Sequence, residues 1–206
     1  MNEIGHKDHL LVVASGNPGK LREISDMLSP LGWAVRPQGD WGIPEAVENG
    51  LSFIENALIK ARHASRLTGH AALADDSGLS VDALDGAPGI YSARYADDQG
   101  DEANNRKLLE ALQGIPDEKR GAHFYCAMAL VRHEKDPAPL VAIGRWDGKI
   151  THRPSGGGGF GYDPLFLIDG RDCTSAELPA KEKNRLSHRG QALRDMVRMM
   201  RDELSD

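Results

Sequence analysis

Four groups of residues in this chain combine side chains that can act together on a charged small molecule. The first is the hexapeptide Ser15-Gly16-Asn17-Pro18-Gly19-Lys20, between the apolar run LLVVA and the segment LREISDML. A strand that turns straight into a capped helix directs free backbone N–H groups and the positive helix end at one spot, where a phosphate binds well. Lys20 adds a full charge. The P-loop pattern is not met, because Lys20 is followed by Leu21 and the glycine spacing is wrong. A well-capped loop with an exposed lysine is the competing account of the same six residues. The second group is acidic: Asp75 and Asp76 in ADDSG, and Glu48 in VENG beside an Asn-Gly turn. Successive strand residues face opposite ways, so only one of the two aspartates is expected in a shared site. Two oxygen ligands, completed by phosphate oxygens and water, describe a Mg²⁺ site. Against this stands the ordinary preference of turns for aspartate.

The third group is the loop GGGGFGYDP. Gly159 and Gly161 let the backbone approach a ligand closely, Phe160 and Tyr162 offer flat surfaces for stacking a base, and Asp163 before Pro164 can accept hydrogen bonds. The alternative is a flexible glycine loop with an aromatic plug in the core. The fourth is KNRLSHRGQ, where Lys183, His188 and Arg189 gather at the start of the last helix. Arg189 in that first turn opposes the helix dipole, a cost of about 0.3–1 kcal/mol, as if held by a partner; plain solvent exposure competes. The chain has no GxSxG elbow, no HExxH and no GxGxxG after a strand, which speaks against covalent catalysis.

These groups need a scaffold, and the remaining sequence supplies one. HLLVVAS reads as a buried strand, and Leu21, Ile24, Leu28 and Leu31 define a helix capped by Asn17 and stopped at Gly32. WAVRPQG is a second strand and WGIPEAVENG a loop. In LSFIENALIKARHASRLTG, Ile54, Leu58, Ala61 and Ala64 share a helical face, and Ser52 with Glu55 has capping-box spacing, making Glu55 a cap rather than a catalyst. AALADDSGLSVDAL reads as strand, polar turn and strand, with Leu79, Val81 and Ala83 on one face. A helix from Glu102 to Gln113, strands in AHFYCAMALVRH, PLVAIGRWDGKIT and LFLI, and a helix from about Ser187 to Leu204 complete the pattern. The expected class is α/β with a mixed sheet.

Composition narrows the function. The 206 residues suit one large domain, taken as residues 10–206 after a polar extension over 1–9. The net charge of −6 argues against a nucleic-acid partner, which needs a basic face. Cys126 and Cys173 form no CxxC pair, so neither a disulfide framework nor a zinc site is expected. No run approaches the ~18 apolar residues of a membrane span, and the expected location is cytoplasmic.

Read together, SGNPGK, ENGLSFIENALIKA, ADDSGLSVDALDGAPGIYSARY, GGFGYDP and SHRGQAL strongly resemble, in this order, the inosine triphosphate pyrophosphatase family, also called dITP/XTP or non-standard purine pyrophosphatases. The resemblance runs from about Leu10 to Leu204. It implies an elongated, two-lobed α/β fold with a central mixed sheet flanked by helices, an active site in the cleft between lobes, and a homodimer. It also implies Mg²⁺-dependent hydrolysis of ITP, dITP or XTP to the monophosphate and pyrophosphate. Carried over by residue, the phosphate segment is Ser15, Gly16, Asn17, Pro18, Gly19 and Lys20. The metal ligands are Glu48 and Asp76, with Asp76 also the general base. Ser77 contacts substrate, Phe160, Gly161, Tyr162 and Asp163 form the base loop, and Lys183, His188 and Arg189 complete the substrate contacts. Ser15 stands where threonine is common, and the run Gly156–Gly159 is richer in glycine than usual. An enzyme acting on a modified pyrimidine and a non-catalytic nucleotide sensor are the competing functions.

Overall fold

A computed structural model of the chain describes residues 9–15 and 18–204. Residues 1–8 of the N-terminal extension, Gly16, Asn17, Ser205 and Asp206 lie outside the described residues. Eleven regular elements follow in order: β1 (His9–Val13), α1 (Pro18–Leu28), β2 (Trp33–Pro37), α2 (Phe53–Thr68), β3 (Ala71–Val81), α3 (Asp101–Ala111), β4 (Gly121–Val131), β5 (Leu140–Ile150), β6 (Phe166–Ile168), α4 (Ala180–Leu186) and α5 (His188–Leu204). The strands form one six-stranded sheet in the order β2-β1-β3-β4-β5-β6. β1 runs parallel to β2 and β3, whereas β5 and β6 are antiparallel, so the sheet is mixed as expected.

Two compact units are distinguished. The first comprises Met1–Asp76, Ala127–Ala142 and Leu193–Asp206, the second Ser77–Cys126 and Ile143–Ala192. In the first, α2 packs on β1 through Ala57, Ala61 and Ala64, all fully buried. Alanines at this spacing form a narrow apolar stripe that lets a helix approach a sheet closely. Ile54 and Leu58, expected on the same face, are only half-buried, so the stripe is rotated towards the alanines. The helix starts at Ser52, whose Oγ accepts from Glu55 N–H (3.2 Å), and stops at left-handed Gly69 (φ 73°). In the second unit the core joins Leu79, Val81, Leu108, Leu112, Phe124, Trp146, Ile150, Leu165 and Phe166. Phe166 sits between Phe124 (4.5 Å) and Trp146 (5.5 Å), with tilted rings; each such side chain stabilises the fold by about 1.5–3 kcal/mol through burial.

The structure corrects two readings of the sequence. The expected turn after Asp75-Asp76 does not form, and β3 runs unbroken from Ala71 to Val81. β3 lies between β1 and β4 in the sheet, and β1 pairs with its first residues, 71–73, so the strand runs on through Asp-Asp-Ser-Gly from a start already held in the sheet. Ala83 is exposed in the short 3-10 turn Asp82–Leu84 and does not join Leu79 and Val81. Helix α4 was not expected, since its seven residues AKEKNRL bury none of their side chains and show no apolar period.

Candidate active site

In the first unit, α2 collects the acidic residues. The loop that carries Glu48 is fastened to the start of this helix. Gly50 N–H donates to Asn56 Oδ1 (2.9 Å) and Leu51 N–H to Glu55 Oε2 (2.9 Å). Glu55 thus serves as the cap, as its spacing predicts. One turn beyond Asn56, on the same helical face, Lys60 reaches two carboxylates. Its Nζ lies 2.9 Å from Asp76 Oδ1 and 3.3 Å from Glu48 Oε1. Asp76 is only 8% exposed, and its Oδ2 is buried without a hydrogen-bond partner. Asn56 is fully buried; its Nδ2 makes no well-formed hydrogen bond, yet the amide lies close enough to Asp76 to favour its ionised form. Asp75, next on β3, is buried as well, and its charge adds to the field that keeps Lys60 protonated.

The electrostatics follow from burial. Desolvation pushes the Asp76 carboxyl above its ordinary value and the Glu48 charge adds to this, while the Lys60 ammonium pulls the other way. Burial alone would lower Lys60, but Asp76 and Glu48 outweigh it and raise its pKa. The result is two carboxylates around one ammonium with one carboxylate oxygen unused. This all-oxygen donor set suits Mg²⁺, which is commonly held by one or two carboxylates while substrate phosphates and water complete its shell. Among the described residues no three His, Cys, Asp or Glu side chains cluster as metal ligands, so the pair stands alone. The same unit holds the end of β1 and the start of α1: Ser15 N–H donates to Val13 O (2.9 Å), and the helix opens with Pro18, Gly19 and Lys20. The Lys20 side chain lies outside what the structure describes.

In the second unit, Asp163 organises the glycine loop from within. Its Oδ2 accepts from Phe160 N–H (2.8 Å) and from Lys183 Nζ, and its Oδ1 accepts from Ser175 Oγ (2.7 Å). Asp163 is 3% exposed with both oxygens engaged, so it holds the loop rather than presenting a free acceptor. Gly159 has φ 76°, and a Cβ there would lie 2.1 Å from Asp163 Oδ2, so only glycine permits this clamp. Gly158 N–H donates to Ala176 O (2.9 Å), tying down the glycine run rather than loosening it. Gly161 is held at both ends, its N–H on Asp101 Oδ2 (2.6 Å) and its carbonyl on Asn105 Nδ2 (2.9 Å).

Phe160 is consequently displayed, about half exposed. Lys183 Nζ lies 4.9 Å and the Arg189 guanidinium carbon 5.7 Å from its ring centre. Arg189 also donates to Ser77 Oγ (3.0 Å), the residue after Asp76 on β3. This is the partner anticipated for an arginine set against its helix dipole. Two expected contact residues are packed within this unit. Tyr162 is buried and donates its hydroxyl proton to Ser92 O (2.8 Å), burial pushing its pKa up, so it anchors the loop and offers no stacking face. The His188 ring is 8% exposed and stacks on Phe124 at 4.9 Å.

Comparison with known proteins fits this geometry. A family model described as the Ham1 family matches residues 11–199. The chain belongs to the Ham1 family. Among its relatives in this family, a dITP/XTP pyrophosphatase of Yersinia pestis is 55% identical over 193 residues, covering 93% of this chain and 98% of the relative. One of Pseudomonas syringae pv. tomato is 60% identical over 183 residues, covering 89% and 92%. The structure of a HAM1 protein from Coxiella burnetii superposes with a TM-score of 0.90 at 46% identity, covering 94% of this chain and 98% of that one. The α/β fold is therefore that of the Ham1 proteins. Lys60 and Asn56 were not singled out by sequence reasoning. The signal was present in two polar residues four apart on an alanine-lined face of α2, within ENALIKA.

Proposed function

We propose that this Ham1 chain is a Mg²⁺-dependent pyrophosphatase that hydrolyses ITP, dITP and XTP to the monophosphate and pyrophosphate, removing deaminated purines from the nucleotide pool of the cytoplasm. The observation that carries the reading is the Glu48–Lys60–Asp76 constellation with its unused, buried Asp76 Oδ2. The names of the relatives supply the substrate class.

Glu48 and Asp76 would hold the cation, which when bound neutralises charge on the phosphate oxygens. Asp76 orients a water molecule and takes its proton at Oδ2 as the water oxygen bonds to the α-phosphorus and the bond to the bridging oxygen breaks, releasing pyrophosphate. The raised pKa of Asp76 matches it to that proton. The free N–H groups of α1 and Lys20 retain the phosphate tail. Phe160 provides the stacking surface for the purine, and Arg189 the donors for its 6-oxo group. An adenine would present a donor there and leave the guanidinium unmet, which supports discrimination of about 10⁴ at a buried site. A homodimer, to be checked by sedimentation, belongs to the same proposal.

The test is pyrophosphate release from ITP, XTP, dITP, GTP, ATP and dUTP, with and without Mg²⁺. Fast turnover of the first three only with Mg²⁺, and none by Asp76→Asn although it still binds ITP, is the expected result. Fastest turnover of dUTP, or near-normal rates in Asp76→Asn, would overturn it.

A further inference from the structure

We propose that Lys60 is a built-in counter-ion that occupies the place of the divalent cation between Glu48 and Asp76, and that it leaves the carboxylates when a divalent cation binds. The inference deepens the metal reading above and rests on it. Three observations combine. The Lys60 ammonium touches both candidate ligands at once, at 3.3 Å and 2.9 Å, which is what a bridging cation would do. Among the described residues no other ammonium or guanidinium group pairs with Glu48 or Asp76. The second oxygen of Asp76 is left without a partner although Asp76 is more than nine-tenths buried, so the ammonium fills the site's charge without filling its coordination capacity. An ammonium donates along three directions but cannot gather oxygens around itself as a small dication does.

The arrangement solves a problem of burial. Glu48 and Asp76 facing each other with no cation between them would repel, and the Lys60 ammonium, paired with both, offsets that repulsion. Lys60 keeps the pair in place until metal arrives. It enters from α2 on a flexible four-carbon stem, anchored one turn beyond Asn56, so it can leave without moving the helix. Its departure sets the order of events. A cation that comes alone must displace a paired ammonium and strand it beside a second positive charge. A cation that comes with a triphosphate brings the anion the displaced ammonium needs. Metal and nucleotide are thereby coupled: each binds better with the other than alone, and the coupling passes through Lys60. Empty protein is kept from collecting metal that it has no substrate for.

Mn²⁺ binding to nucleotide-free protein, followed by its electron paramagnetic resonance signal, provides the test without any turnover. Lys60→Met should bind Mn²⁺ about tenfold more tightly than wild type or better, because the competing charge is gone while both carboxylates remain. Lys60→Arg keeps the charge as a wider, more firmly paired fork, and should bind at the wild-type level or more weakly. The double variant Lys60→Met/Asp76→Asn should lose the gain. A merely structural lysine would give the opposite sign, weaker binding in Lys60→Met. That result, or tighter binding in Lys60→Arg, overturns the counter-ion role. If Glu48→Gln still weakens Mn²⁺ binding in that case, the metal site stands and Lys60 alone has been misread. If neither wild type nor Lys60→Met binds Mn²⁺, both readings fall. Should Lys60→Met not fold, Lys60→Gln takes its place, with the same tighter binding expected and weaker binding again overturning the role.

Discussion

Replacing Gly50 by alanine isolates the contribution of loop position to catalysis. Gly50 is not in the left-handed region, so the substitution adds volume without backbone strain. The added Cβ would lie 2.7 Å from Asn56 Oδ1 and 2.7 Å from Glu55 Cβ, where ordinary contact begins at 3.4 Å. About 0.7 Å must be found, and neither neighbour can supply it. Asn56 is fully buried, and Glu55 Cβ is fixed to the first turn of α2. The loop itself must move, breaking the Gly50–Asn56 hydrogen bond and carrying Glu48, two residues away, off its place beside Lys60. Overpacking of this kind costs about 1–3 kcal/mol, and a displacement near 1 Å at a catalytic group costs up to about 10²-fold in rate. The expectation is a fall in kcat for ITP of roughly 30- to 100-fold, a rise in the Mg²⁺ needed for half-maximal rate, and a melting temperature lower by only a few degrees. Pyrophosphate release across a Mg²⁺ series and a thermal melt measure all three. A kcat within threefold of wild type at unchanged Mg²⁺ demand would refute the claim that the Gly50–Asn56 bond positions Glu48.

Asp136 offers a stability prediction away from the site. It is 1% exposed and accepts from Arg132 N–H, Nε and Nη2 and from Ala138 N–H, each at 2.9 Å. Asp136→Asn should lower stability by about 2–4 kcal/mol with the KM for ITP unchanged, read from urea melts and kinetics. The Arg132 hydrogen bonds hold the Asp136 carboxyl far below its ordinary value against the effect of burial, so its stabilisation is complete above about pH 4 and is lost as pH falls further. The gap between wild type and variant should close on acidification, and a constant gap would refute this. Arg189→Ala removes one of the two cations over Phe160 and the donor to Ser77, and should reduce the ITP-over-ATP ratio of kcat/KM by about tenfold or more. An unchanged ratio would move base reading to other residues.

Most of the scaffold was legible because it obeys local rules. Gly32 and Gly69 stop helical segments in the left-handed conformation, Ser52 and Glu55 cap as their spacing demands, and the apolar runs of β1, β4 and β5 are strands. The failures have one physical origin, since each depends on what packs alongside. Asp-Asp-Ser-Gly spells a turn until it lies within an interior strand of the sheet. The partners of Tyr162 and His188, Ser92 and Phe124, are likewise announced by no local spacing. The acidic pair was visible in Asp76 and Glu48, but Lys60 acquires meaning only where a helix, a loop and a strand distant in the chain meet. Local spacing cannot encode that meeting.

The unbroken course of β3 has a consequence for how this protein fails. Asp76 sits on β3, an interior strand of the sheet, and is lost only when that sheet opens cooperatively. Glu48 rides a coil moored by two amide protons, and such moorings release far below global melting. Warmed gently, the molecule should therefore fall silent while still native by spectroscopy, and recover on cooling as the coil is recaptured.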